Sequence, residues 1–203
     1  MSLTLYLAPG TVAKASHAAL ETCGADYDLV WLDFKAGAQR SADYLAVNPK
    51  GRVPALATPQ GILTETIAIL EWIAATHPEA RLMPDDPWQA ARVRETMTYL
   101  GTTMHVAHAH KARGHRWSDD VAAQATMTAK VPQTMAECAA LLEARIDGDW
   151  VTEAFSVADL YLWTILGWLD GDGVPLAGYP RLKALCDRVA ARAAVQRVQA
   201  LHP

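Results

Sequence analysis

The apolar positions change period along the chain, and the changes mark out elements. Leu3-Thr4-Leu5-Tyr6-Leu7 reads as a short strand closed by Pro9-Gly10. From Val12 to Cys23, alanines and a leucine recur at helical spacing, and Gly24 is placed as a C-cap. Tyr27 to Asp33 carries the continuous run Leu29-Val30-Trp31-Leu32, which predicts a second strand buried on both faces. A short helix is expected over Ser41 to Val47. After the turn Asn48-Pro49-Lys50-Gly51, two strands, Ala55–Thr58 and Ile62-Leu63, flank Pro59-Gln60-Gly61 as a hairpin. Ile67, Ile69, Leu70, Trp72 and Ile73 restore the helical period from Glu65 to about His77, and Pro78 ends it.

This β-α-β-α-β-β-α order predicts a thioredoxin-like α/β domain over residues 1–80, a mixed sheet with helices on its faces. Pro78, Pro84 and Pro87, with Asp85-Asp86 between them, form a stiff polar connector. No strand pattern follows. Helical stretches are expected over Trp88–Arg113, Val121–Ile146, Ser156–Leu169 and Pro180–Leu201, with Pro132 a kink or break in the second. Residues 88–203 thus read as an all-helical domain.

Composition removes some classes of function. The formal net charge is −4 over 203 residues. That gives no reason to expect nucleic acid or an anionic membrane as partner. No apolar run approaches the ~18–20 residues of a membrane helix, and no secretory signal is visible. Cys23, Cys138 and Cys186 form no CxxC pair and no metal-ligand pattern, which suits buried, reduced thiols and a cytoplasmic location.

Two local motifs carry candidate chemistry. Val53-Pro54 enters a strand, the place where proline is tolerated. A cis bond there would offer the backbone of Val53 to an extended peptide; an ordinary trans turn is the alternative, since cis is the rarer state. Glu65-Thr66 opens a helix, where free N–H groups and partial positive charge suit a carboxylate. Glu65 would pair with an amino group. The alternative is simple capping by Thr64 or Thr66.

Together, Asn48-Pro49-Lys50-Gly51-Arg52-Val53-Pro54-Ala55-Leu56 and Thr64-Glu65-Thr66-Ile67-Ala68-Ile69 resemble the glutathione-binding half of the glutathione transferases. Phe155-Ser156-Val157-Ala158-Asp159-Leu160-Tyr161 resembles that family's structural capping box in the helical domain. Pro9-Gly10-Thr11-Val12-Ala13-Lys14-Ala15-Ser16-His17 is similar to the first loop of the bacterial beta class. The resemblance implies glutathione as co-substrate and no metal. It implies a hydrophobic electrophile as second substrate and a two-fold homodimer. Val53, beside a cis Pro54, would bind the cysteinyl backbone of glutathione, with Arg52 in the same segment. Glu65 and Thr66 would hold the γ-glutamyl end. Lys35 stands near the family's basic residue for the glycyl carboxylate, with a solvated surface lysine as the alternative.

The beta class carries a cysteine and then a serine where this chain has Val12 and Ala13. A mixed disulfide with glutathione is therefore not expected here. Thr11 is the candidate hydroxyl donor to the thiolate, with the N–H of Val12 or Ala13 as alternatives. Tyr6 lies one residue off the superfamily's catalytic tyrosine, so it reads as a packed aromatic. His105 matches a beta-class histidine that faces the cleft, a partner for sulfur or for developing charge. His105 and His108 are three apart on a helix, but no carboxylate or cysteine sits at a supporting interval for a metal. Met104, His108 and Trp168 are candidates for the electrophile pocket, with core packing the default for Trp168 as for Trp163. The expected activity is glutathione conjugation. A non-catalytic glutathione- or ligand-binding protein and a scaffold are the competing readings.

Overall fold

A computed structural model describes residues 3–202. They form two compact units, residues 3–84 with 190–202, and residues 85–189.

The first unit holds β1 (Leu3–Leu7), α1 (Ala13–Cys23), β2 (Tyr27–Trp31), α2 (Ala42–Val47), β3 (Ala55–Thr58), β4 (Gly61–Thr64) and α3 (Thr66–Thr76). The sheet order is β2-β1-β3-β4. β1 runs parallel to β2 and antiparallel to β3, and β3 runs antiparallel to β4. This is the expected thioredoxin-like mixed sheet. Leu5 and Leu7 are fully buried while Tyr6 between them points to the other face, the period-two pattern of a strand. Gly24 caps α1 in the left-handed conformation at φ 66°, as its position predicts.

One strand departs from expectation. β2 is an edge strand, bonded only to β1, and Val30 and Trp31 are exposed rather than buried on both faces. A continuous apolar run cannot distinguish a central strand from an edge strand, because sheet order is fixed by the partners and not by the run itself.

The second unit holds α4 (Pro87–Tyr99), α5 (His105–Arg113), α6 (Val121–Arg145), α7 (Val157–Leu166) and α8 (Pro180–Ala190). The stretch read as one helix from Trp88 to Arg113 is interrupted by a π-turn over Leu100–Met104, where the His105 N–H reaches Leu100 O. Such turns often mark functional sites in helices. α6 runs unbroken across Pro132. Its buried stripe of Val131, Met135, Cys138, Ala139 and Leu142 offsets the ~3 kcal/mol that an interior proline costs. Every residue of α7 is buried, so it is the central helix of the unit. Its Ser156–Asp159 capping box is present: Ser156 N donates to Asp159 Oδ2 at 2.8 Å, and Val151 N to Oδ1 at 2.8 Å. Burial pushes the Asp159 carboxyl up to about 6, against the pull of these hydrogen bonds.

The terminal segment departs from the 88–203 division. The expected helix over Pro180–Leu201 breaks after Ala190, and its second part, α9 (Ala193–Leu201), belongs to the first unit. Arg197 Nε donates to Glu21 Oε1 on α1. The ring of His202 packs edge-on against Trp31, 4.9 Å between centroids.

A directed hydrogen-bond chain fixes this docking. Tyr27 OH donates to Glu21 Oε2 at 2.5 Å, so its oxygen accepts from His17 Nε2–H at 3.1 Å. His17 Nδ1 is then the acceptor for His202 Nε2–H at 2.9 Å. The chain ends at His202 Nδ1, buried with no partner among the described residues. Burial lowers both imidazoles from their ordinary 6.5 to about 4. The Tyr27 and Arg197 hydrogen bonds lower the Glu21 carboxyl.

Candidate functional site

The two glutathione-like motifs are brought together by strand register. Ala55 of β3 pairs with Thr64 of β4, so Val53-Pro54 and Glu65-Thr66 continue from the same end of the hairpin. Tyr6 of β1 pairs with Ala55, which brings the Pro9–Thr11 loop to that end as well. Three segments far apart in sequence thus converge at one end of the sheet's strands.

The Val53–Pro54 bond is cis. β3 begins only at Ala55, and the N–H and C=O of Val53 make no backbone hydrogen bond among the described residues. The preceding turn is held from below. Arg52 O accepts from Tyr44 OH at 2.6 Å and from Asn48 Nδ2 at 2.7 Å. Asn48 is buried, and its Oδ1 also accepts from Lys50 N at 3.2 Å. Gly51 sits at φ 59°, and a Cβ there would lie 3.0 Å from Gln39 O, so the turn requires glycine. Tyr44 and Asn48 were missed by sequence reasoning. Their signal was a tyrosine and an asparagine just ahead of the Pro-Lys-Gly turn, which gains meaning only once the carbonyl they hold is seen.

Glu65 has φ 74° and ψ 123°, one of two non-glycine residues at positive φ among those described. Such backbone costs of order 1–3 kcal/mol and persists where its surroundings impose it, often at ligand sites. Glu65 occupies the N-cap of α3, yet neither Thr64, Glu65 nor Thr66 caps with its side chain. The capping alternative is therefore not realised. The first helical bond is Ile69 N to Glu65 O at 3.0 Å, leaving the N–H groups of Thr66, Ile67 and Ala68 without a backbone acceptor among the described residues. No acidic residue occupies the first turn to neutralise them. Glu65 Oε1 accepts from Lys50 Nζ at 2.5 Å, and the same ammonium donates to Thr64 Oγ1 at 2.7 Å. Glu65 thus holds an amino group in this structure, one supplied by the chain itself. Lys50 was not singled out from sequence.

At the third segment, Thr11 Oγ1 donates to Ala8 O at 2.7 Å. The hydroxyl proton is committed to the backbone unless the side chain turns. α1 starts at Ala13 with Val12 at its N-cap, no side-chain cap and no acidic residue in its first turn. The N–H groups of Val12 and Ala13 make no hydrogen bond among the described residues. Tyr6 is half-buried and packs 5.7 Å from the Tyr44 ring, in a cluster with Ala8, Leu32 and Val53. Its reading as a packed aromatic agrees with this placement. Arg52 and Lys35 are exposed, and Lys35 N is bonded to Asp33 Oδ1 at 2.8 Å.

In the second unit His105 follows the π-turn and lies 5.1 Å from the Trp168 ring. His108 stacks on Trp168, 4.3 Å between centroids and 22° between planes. Its Nδ1 is 2.6 Å from Oδ2 of the fully buried Asp172, and Lys111 Nζ lies 3.2 Å from Oδ1. A supporting carboxylate for His108 therefore exists, against the expectation from spacing. It comes from a loop 64 residues downstream, which no local interval reveals. Among the described residues no group of three His, Cys, Asp or Glu is arranged to hold a metal. Burial raises the Cys23 thiol to about 11 and holds Cys138 up as well, so neither is a reactive thiolate at neutral pH. No helix of the described residues is long and apolar enough to cross a membrane.

Comparison with known proteins gives the same picture over nearly the full chain. Residues 1–75 match the family pattern described as glutathione S-transferase, N-terminal domain, and residues 115–188 match its C-terminal domain. The chain is 32% identical over 198 residues to glutathione S-transferase GstA of Escherichia coli O157:H7, covering 96% of each. It is 29% identical over 192 residues to a maleylacetoacetate isomerase of Pseudomonas aeruginosa, covering 91% of this chain and 88% of that one. Among solved structures, a glutathione transferase homolog from Sulfitobacter with bound glutathione superposes at TM-score 0.96 with 48% identity, covering 98% of each chain. A bacterial beta class enzyme from Sphingomonas chungbukensis does so at 0.85 with 32% identity over 98% of each. A cis-proline loop, a strained acidic residue at a helix start and this agreement along both units place the chain in the glutathione S-transferase family.

Proposed function

We propose that this protein is a glutathione transferase that conjugates the glutathione thiolate to a small hydrophobic electrophile. The observation that carries the reading is the unpaired backbone of Val53 beside a cis Pro54, set by register next to Glu65 and Thr66. An extended tripeptide pairs its cysteinyl backbone with Val53. Its γ-glutamyl carboxylate meets the open N-terminus of α3 and the Thr66 hydroxyl. Its ammonium takes the place Lys50 holds at Glu65. Arg52 and Lys35 supply positive charge for the glycyl end.

Conjugation needs the thiol ionised. Lowering its pKa from about 8.5 by about two units takes roughly 2.7 kcal/mol. The N-terminus of α1, free of caps and acidic residues, supplies up to ~2 kcal/mol. A hydrogen bond to the charged sulfur adds ~1.5–3 kcal/mol. The N–H groups of Val12 and Ala13 supply it first, and Thr11 supplies it by turning from Ala8. The loss of the class cysteine is therefore compatible with activity. His105, beside Trp168 in the helical unit, is the proposed partner for developing charge. A two-fold homodimer in the cytoplasm, without a metal, completes the proposal.

The second reading, a non-catalytic glutathione-binding protein, is favoured by one observation, the commitment of the Thr11 proton to Ala8 O. Glutathione titration followed by ultraviolet thiolate absorbance across pH separates the two. Conjugation requires saturable binding with a lowered thiol pKa, and turnover of an aryl halide or an unsaturated ketone. An unsaturated dicarbonyl belongs in the panel because one relative is named an isomerase of such a compound. Binding with an unshifted thiol and no turnover establishes the non-catalytic reading.

A further inference from the structure

The turn ahead of β3 carries a cation whose placement stability does not explain. Asn48 fixes the backbone of Lys50 by accepting from its N–H at 3.2 Å. The side chain then reaches the start of α3, where Nζ donates to Glu65 Oε1 at 2.5 Å and to Thr64 Oγ1 at 2.7 Å. An ammonium has three N–H donors, so one is left without a partner among the described residues. Both members of the ion pair are open to solvent, with 42% and 66% of their side-chain surface exposed. A pair of that kind contributes little and opens readily. A cation beside the start of a helix also runs against the helix dipole, which favours anions there. Thr66, the first residue of α3, is 8% exposed, and its hydroxyl makes no hydrogen bond among the described residues. A carboxylate, an ammonium and an unpaired hydroxyl thus stand together, the first two joined by a weak bond. That set is complementary to a zwitterion, an ammonium and a carboxylate on one carbon.

We propose that Lys50 is a specificity-determining residue that changes partner on binding, leaving Glu65 for the ligand's α-carboxylate. The inference rests on the glutathione reading above and adds a residue to it. The α-ammonium of the ligand displaces Lys50 from Glu65. Its α-carboxylate, bound at the Thr66 hydroxyl, receives Lys50 Nζ in turn. One ion pair within the protein is replaced by two between protein and ligand, and no proton or net charge is transferred. The exchange selects a class of thiol co-substrate, peptides that end in a free α-amino acid head as a γ-glutamyl group does. A ligand with the ammonium alone opens the Lys50–Glu65 pair and gives Lys50 no anion in return.

The test titrates the full chain by calorimetry with glutathione and with 4-aminobutyryl-cysteinylglycine, the same tripeptide without its α-carboxylate. Lys50→Met is expected to move the two ligands in opposite directions. Glutathione binding weakens about tenfold, because a hydrogen bond between charged groups is lost. The aminobutyryl peptide binds about threefold more tightly, because Glu65 no longer has to be released from Lys50. Lys50→Arg keeps the cation and is expected to hold glutathione affinity to within about threefold of the wild type. Weakening of both ligands by Lys50→Met makes Lys50 a support for the turn, and tightening of both makes it a competitor alone. Either result overturns the proposal. So does the absence of a shift for either ligand, an aminobutyryl peptide too weak to detect on both proteins included, or a Lys50→Arg as weak as Lys50→Met. In all these cases glutathione binds the wild type and the conjugation reading stands. A wild type that binds no glutathione overturns that reading and this inference together.

Discussion

Glu65 shows how one residue can be placed against its own preference. A non-glycine side chain at φ 74° is disfavoured, and its exposed ion pair with Lys50 contributes only about 0.2–1 kcal/mol. Stability alone does not explain it. Glu65→Gly removes the strain and the carboxylate together. Its melting temperature is expected to stay level or rise by about one or two degrees, while glutathione affinity by calorimetry falls about tenfold or more. A lowered melt with unchanged affinity contradicts the assigned role. Thr11 is limited by a competing bond. Turning to a thiolate gains ~1.5–3 kcal/mol and gives up ~0.5–1.5 kcal/mol at Ala8 O. Thr11→Ala is therefore expected to raise the pKa of the bound thiol by about one unit. No change by thiolate absorbance assigns the work to the backbone N–H groups of α1.

At the scale of elements, α9 is held to α1 and β2 by a chain of hydrogen bonds with a fixed direction. Every donor points toward Glu21, so each imidazole must be neutral for the chain to close. A proton added to His17 turns its Nδ1 into a donor facing the His202 N–H. One added to His202 leaves a buried N–H with no acceptor. Both imidazoles have folded values near 4, below their ordinary 6.5. Between these values the unfolded chain binds more protons than the folded one, so stability is present above 6.5 and is lost as pH falls toward 4. For the fully buried His17 the loss is on the order of 3 kcal/mol. Chemical denaturation at about pH 7 and about pH 5 is expected to show a drop for the wild type that is clearly smaller in His17→Gln. Equal slopes for both proteins exclude His17 as the source. The other charged groups around this chain are Glu21, Arg197 and Lys14.

Over the whole molecule, the chain returns to the unit it began with. Residues 190–202 complete the thioredoxin-like unit, and residues 85–189 between form the helical one. Val195 and Val198 of α9 are fully buried, each worth ~1.5–3 kcal/mol. Ending the chain at Ala190 is expected to lower the melting temperature by about 10 °C or more. It should also weaken glutathione binding, although no residue of α9 belongs to the proposed site. Retention of the full-length melt shows instead that the first unit is self-sufficient over residues 1–84.

Local chemistry made most of the first unit legible. Strand and helix periods and the Gly24 cap follow from neighbouring residues, as does the Ser156–Asp159 box of the second unit, whereas the cis Val53–Pro54 bond was implied by the family resemblance and not by the dipeptide. Long-range pairing decided the rest. β2 became an edge strand because only β1 bonds to it, and α9 joined the first unit because Glu21 and His17 await it there. Asp172 met His108 across 64 residues. The physical reason is the reach of each force: propensity and capping act within one turn, whereas burial and buried hydrogen bonds are settled by whichever distant segment supplies the missing partner.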